Sequence, residues 1–174
     1  PRETEAMRPL ARKPWWARTE VAGPWFDVGG DRVRLLRDGV ESFPAMLEAI
    51  ANAKREVLLE MYWVGADAVG TRFREALVQA AKRGVTVRVI YDAVGSLTIN
   101  ASFWKSVNDA GGEVREYHPL SPLRPTFDVR RIEQRDHRKI LAVDGTLARS
   151  GSAWEATGRA YTHDHAKWDA LAAP

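Results

Sequence analysis

The chain contains no cysteine. That excludes disulfides, thiol nucleophiles, zinc ribbons and cysteine-ligated iron–sulfur clusters together, and it suits a reducing compartment. Also missing is any apolar run close to the roughly 20 residues that span a bilayer, and the first residues do not read as a secretory signal. There is little charge imbalance. The 26 lysines and arginines against 23 acidic residues leave a net charge of +3, too mild on its own to argue for nucleic acid. An initiator methionine is absent too: the chain opens on Pro1, as expected of a processed or trimmed fragment.

What is present fits a soluble globular protein, with 174 residues of which 45% are hydrophobic and 28% charged. This length carries one domain, or a domain with a tail. Residues 1–25 hold Pro1, Pro9, Pro14 and Pro24 and show no sustained period, so they read as an extended N-terminal arm, with the domain proper over residues 26–174. Arg8, Arg12, Lys13 and Arg18 surround Trp15 and Trp16 in that arm. Such a mixture suits a membrane interface or a partner subunit, and equally an arm packed across its own domain.

From Asp31 the pattern is regular. Val33, Leu35 and Leu36 predict a strand, and Phe43, Met46, Leu47 and Ile50 a helix with Pro44 in its first turn. Val57 to Trp63 reads as a buried strand, interrupted only by Glu60. Phe73, Leu77 and Ala81 mark a second helix ending at Gly84. Val85 to Asp92 is a third strand, Phe103 to Val107 a third helix, and Val114 to Tyr117 a further strand. The alternation predicts an α/β fold, with a mostly parallel central sheet flanked by helices on both faces. Residues 118–136, rich in proline and arginine, form a long loop of the kind that is usually functional. Ile140 to Val143 is a strand, Asp144-Gly145 a hairpin turn, and Leu147 begins the return strand.

The chemistry gathers in His137-Arg138-Lys139-Ile140-Leu141-Ala142-Val143-Asp144. Residues two apart on a strand share a face, so His137 and Lys139 point together. An imidazole beside an ammonium suits attack on a phosphate: the ring is the nucleophile, and the lysine neutralises the non-bridging oxygens. Taken singly, Asp144 is a turn residue and Lys139 a solvated strand residue. Glu60, inside an apolar strand, needs a partner if it is ionised. It either supports a catalytic histidine or forms a structural ion pair. Asp92 ends a strand at the edge where parallel sheets usually bind ligands. His163-Asp164-His165 has metal-ligand composition but no further ligand pattern to complete a site.

The sequence resembles the phospholipase D superfamily, whose HKD motif (His-x-Lys, four residues, Asp) is met by His137, Lys139 and Asp144. Gly151-Ser152 fall seven residues past the aspartate, where that family carries a Gly-Ser pair. The similarity is to the cardiolipin synthase-like branch and runs from about Val33 to Asp169. It passes through Leu59-Glu60-Met61-Tyr62, Arg83-Gly84-Val85, Val89-Ile90-Tyr91-Asp92, Gly95-Ser96 and Asp136-His137-Arg138-Lys139-Ile140. It implies a covalent phosphohistidine on His137, with no metal and no cofactor. Lys139, Ser152 and Gly151 would hold the phosphate, and Asp144 would be a supporting, orienting member of the catalytic set.

Two departures bear on activity. Trp154 stands where the family has asparagine, and no second HKD motif is present to supply the acid for the leaving group. A complete site then requires a homodimer partner or a C-terminal half carrying the other motif. The expected function is phosphatidyl transfer or phosphodiester hydrolysis on anionic phospholipid, in a cytoplasmic, peripherally membrane-associated protein. Two alternatives stand beside it: a single-motif homodimeric nuclease using the basic stretch from Arg124 to Arg138, and a non-catalytic remnant or binding module.

Overall fold

The computed structural model describes residues 24–28, 30–36, 38–121, 123, 128, 135–150 and 154–157. Most of the arm and of the 118–136 loop lies outside these residues, as do Gly151, Ser152, His163 and His165.

The elements run β1 (Phe26–Val28), β2 (Asp31–Leu35), α1 (Asp38–Asn52), β3 (Glu56–Met61), α2 (Ala68–Lys82), β4 (Thr86–Asp92), α3 (Ala101–Asp109), β5 (Glu113–Tyr117), β6 (Lys139–Val143), β7 (Leu147–Ser150) and β8 (Trp154–Thr157). All eight strands join one sheet in the order β1-β2-β8-β7-β6-β3-β4-β5. Helices α2 and α3 begin where short polar side chains accept backbone N–H groups. Asp67 takes that of Gly70 ahead of α2, and Asn100 those of Ser102 and Phe103 ahead of α3. Gly84, at φ +86°, follows α2 as expected. Helix α1 starts earlier than its apolar spacing suggests, so Pro44 lies inside it and not in its first turn. The N–H that would bond the residue-40 carbonyl is therefore missing.

The expected α/β class is the one adopted, with two particulars changed. The sheet is mixed: β3–β4 and β4–β5 are parallel, and every other pairing is antiparallel. The described helices also share one face instead of two. Val57, Leu59, Val87, Val89, Leu141 and Val143 pack there against Ile50, Leu77 and Val107 of the three helices. The crossovers from β3 to β4 and from β4 to β5 step the same way along the sheet, and right-handed crossovers in one direction place their helices on one side. Periodicity reports the strands and helices but not the direction of each step. The opposite face carries Leu58, Ile90 and Ala142 with Tyr117 against them. Burial on both faces is why β3 reads as an almost unbroken apolar run.

Two strands were not expected, β1 and β8. β1 pairs with β2 to make the N-terminal hairpin, and β8 pairs with β7 on one side and β2 on the other, joining that hairpin to the rest of the sheet.

Candidate active site

His137 lies immediately before β6, and β6 runs antiparallel to β3 with Lys139 opposite Met61. The site therefore sits where β3 ends and β6 begins. The ammonium of Lys139 lies 2.8 Å from Nδ1 of His137 and 2.6 Å from the His137 carbonyl oxygen. An ammonium only donates, so Nδ1 accepts, and a neutral ring then carries its proton on Nε2. The Tyr62 ring tilts against the imidazole with centroids 4.3 Å apart, and Lys139 Nζ stands 5.0 Å from the same tyrosine ring. Tyr62 thus bears on both groups. The His137 side chain is exposed and Lys139 is partly so.

The neighbouring backbone is tied from β4. The Asp92 side chain is buried, and its Oδ1 accepts the N–H groups of Val94 at 2.9 Å and Gly95 at 3.0 Å. Its Oδ2 accepts the N–H of Asp136, the residue before His137, at 3.1 Å. Arg135 approaches the same carboxylate at 3.8 Å. The next turn clamps Tyr62: buried Ser96 donates to the Tyr62 carbonyl at 3.2 Å and accepts the Val64 N–H at 3.0 Å. A Cβ on Gly95 would come within 2.0 Å of the Tyr62 carbonyl oxygen, so that approach requires glycine.

Behind the histidine lies a charged cluster. Arg138 contacts both carboxylate oxygens of Asp136, at 2.8 and 3.0 Å, and reaches Glu60 at 2.7 Å. Glu60 is 3% exposed and Asp136 6%, so ionising either carboxylate without such partners would be costly. Burial pushes the Asp136 carboxyl up. Hydrogen bonds with Arg138 and Glu60 overcome this and hold it at about 2. The same pairing with Asp136 raises Arg138, against the effect of its own burial. Glu60 is thus ion-paired with Arg138, the residue that follows His137.

Asp144 is not in this group. It lies in the turn after β6, at the far end of that strand from His137, with φ +55°. Its carboxylate accepts the backbone N–H groups of Lys54 at 2.9 Å, Arg55 at 2.7 Å and Glu56 at 3.0 Å. Its own carbonyl accepts from the Arg55 guanidinium. Burial opposes ionisation, but those three N–H groups and the Arg55 charge lower its pKa. The structure thus brings His137 and Lys139 together and places Asp144 in a structural tether. From there Asp144 ties the far end of the strand that carries Lys139. The five residues of β6 alone, at about 3.3 Å each, put about 16 Å between the two ends.

Gly151 and Ser152 are outside the described residues, but Ser150 pairs with Ile140, so β7 ends on the His137 side of the sheet. Trp154 opens β8, opposite Leu35. Tyr62, Ser96, Asp136 and Arg138 are the site residues that sequence reasoning did not single out. Their motifs were visible, but their roles depend on the approach of β3, β4 and β6. Among the described residues, no group of three histidine, aspartate or glutamate side chains is placed to hold a metal.

Residues 46–165 match the family described as the cardiolipin synthase, PLD-like domain. The chain belongs to that family. It is 41% identical over 113 residues to the major cardiolipin synthase ClsA of Bacillus subtilis, a match covering 65% of this chain and 23% of the relative. With cardiolipin synthase 2 of Bacillus anthracis it shares 40% identity over 112 residues, covering 64% of this chain and 21% of the relative. The chain thus spans less than a quarter of the length of these cardiolipin synthases. Among solved structures, Nuc of Salmonella typhimurium, a phospholipase D family member, superimposes with a TM-score of 0.55 at 19% identity. That match covers 81% of this chain and 92% of Nuc. NucT of Helicobacter pylori gives 0.54 at 11% identity, covering 82% and 94%. These two likenesses establish the PLD-like fold alone. Among the described residues, no helix is long and apolar enough to cross a membrane.

Proposed function

We propose that this PLD-like domain carries one catalytic half of a phosphatidyltransferase or phosphodiesterase acting on anionic phospholipid. One observation carries the reading: an exposed imidazole held 2.8 Å from a lysine ammonium at the sheet end, in a chain about 40% identical to cardiolipin synthases. A phosphodiester arriving there offers oxygens that compete with Nδ1 for Lys139. The ring, released from that bond, can hold its proton on Nδ1 and attack phosphorus through Nε2. An N–P bond forms and the P–O bond to the leaving alcohol breaks. The departing oxygen takes its proton from a general acid, the histidine of a second HKD motif. An acceptor hydroxyl then attacks phosphorus and passes its proton to that second histidine, left deprotonated by the first step, and the N–P bond breaks with its electron pair returning to His137. Lys139 balances the charge on the non-bridging oxygens in both steps, aided by Ser152 and the backbone at Gly151. The acceptor alcohol or water approaches from the membrane side of a peripherally bound protein.

The test is capture of the intermediate. Phosphatidylglycerol labelled in the phosphate, quenched in alkaline denaturant during turnover, should leave label on residue 137. His137→Asn should lose both the label and essentially all turnover. Turnover by that variant at the wild-type rate would sink the covalent route. Preferential cleavage of single- or double-stranded nucleic acid over phospholipid would replace the lipid reading with the nuclease one.

A further inference from the structure

A cavity of about 220 Å³ opens beside the proposed phosphate site, between the start of α2, helix α1 and the β3–β6 edge. Its walls include Phe43, Met46, Leu59, Met61, Val69 and Phe73, with Trp63 and Trp104 beside them. The polar side chains on the lining are Ser42, Asp67 and Lys139. Asp67 is engaged as the N-cap of α2. Lys139 is the side chain that also touches His137, so the cavity and the nucleophile share a wall. Trp63 is 55% exposed, an indole left at the surface beside an apolar recess. Because the recess opens to the surface, its apolar walls face water, and covering them with hydrocarbon is favourable.

We infer that this cavity is an acyl-chain site: it takes the first part of one fatty acyl chain of the phospholipid whose phosphate rests on His137 and Lys139. The inference builds on the phospholipid reading of the same site and gives it a source of selectivity. One end of the recess is cationic and its walls are mainly apolar, with Ser42 and the α2 cap Asp67 the other polar side chains, which complements an anionic phosphate with a hydrocarbon tail. A nucleic acid backbone has the phosphate but no tail to fill the recess. The site would therefore separate the two substrate classes by burial and not by charge.

The experiment is calorimetric titration of the full chain with inorganic phosphate and with butyl, hexyl, octyl and decyl phosphate, all below their micellar concentrations. Burying each methylene should raise affinity about fourfold until the cavity is full, after which the series should level. Val69→Phe, which fills the recess, should flatten the series. Trp63→Ala, at an exposed position where folding is not at stake, should reduce its slope. Lys139→Ala should weaken every alkyl phosphate by a similar factor and keep the slope. A flat series in the wild-type chain, or a slope that survives both Val69→Phe and Trp63→Ala, overturns the acyl site whatever the enzyme turns over. An intact slope sensitive to those variants, with no turnover of phosphatidylglycerol once a second HKD motif is supplied by a paired copy or a joined segment, overturns the lipid-transfer reading and leaves the alkyl site standing.

Discussion

The Asp92 carboxylate shows how a buried residue can govern the setting of an exposed one. Two of its hydrogen bonds shape the turn that brings Gly95 and Ser96 to Tyr62, and the third holds the backbone just before His137. Asp92→Asn keeps the shape but must turn an amide NH₂ toward one of those N–H groups. The loss should be about 1–3 kcal/mol, read from the urea midpoint. In the folded variant kcat should fall more than KM rises, because Lys139 is untouched while His137 loses its register. An equal loss in kcat/KM arising wholly from KM would show that Asp92 does not position the nucleophile. Strand-end logic made Asp92 legible as a candidate in the sequence, and burial inside an apolar strand did the same for Glu60. Tyr62 and Ser96 were not legible in that way, because an aromatic and a serine take their roles only from what folds against them.

Acid stability belongs to the residue scale as well. The Asp136 carboxyl sits at about 2 in the folded chain against an ordinary 3.8. Over that interval the unfolded chain binds more protons than the folded one, so stability rises with pH. The contribution, roughly 2 kcal/mol, is complete above the ordinary carboxylate value and is lost as pH falls toward 2. Asp144, also lowered, acts in the same direction. Urea midpoints measured from pH 5 to pH 2 should fall steeply, and Asp136→Asn should flatten that limb while lowering stability at pH 5.

At the scale of elements, β6 is the part to consider, since it joins two different jobs. Its entrance presents His137 and Lys139, and its exit presents Asp144 to the turn between α1 and β3. Asp144→Ala would leave three backbone N–H groups without their acceptor, at a cost of about 1–3 kcal/mol. Lys139→Ala should do the reverse, sparing stability and removing phosphate capture. Phosphohistidine yield per folded molecule, with folded fraction measured by circular dichroism, separates the two. A severe loss of label in fully folded Asp144→Ala would return that residue to the chemistry. The motif spacing in the sequence identifies the residue types, but it does not by itself assign both ends of a strand to one site. The helices and strands from Asp31 to Tyr117 were legible from their apolar patterning, a stripe on each helix and, for β3, a run buried on both faces. β8 was not, since Trp-Glu-Ala-Thr carries no such pattern and owes its strand to the edges of β2 and β7.

For the whole molecule, the proposed route sets the requirement: among the described residues the sheet end holds an imidazole and a cation, and the route also needs an acid for the departing oxygen. General acid catalysis is typically worth about 10²–10⁴-fold, and an opposed second motif adds orientation and charge stabilisation. Fold neighbours of nearly this chain's length and relatives several times longer are both known within the fold. Two routes to a second motif are therefore open: a paired copy or a further stretch of chain. Turnover of a chromogenic phosphodiester should accordingly be very low for the 174-residue chain when it is strictly monomeric. It should rise by at least about 10²-fold when two chains associate through the His137 face, or when a segment bearing a second HKD motif is joined. Sedimentation run beside turnover across a dilution series makes the test, because specific activity must then follow the fraction of dimer. His137→Asn mixed with an excess of wild-type chain adds a second reading, since heterodimers should poison the signal in proportion to the variant. Full specific activity in a proven monomer would mean that the acid lies within these residues, with His163 and His165 the first to substitute.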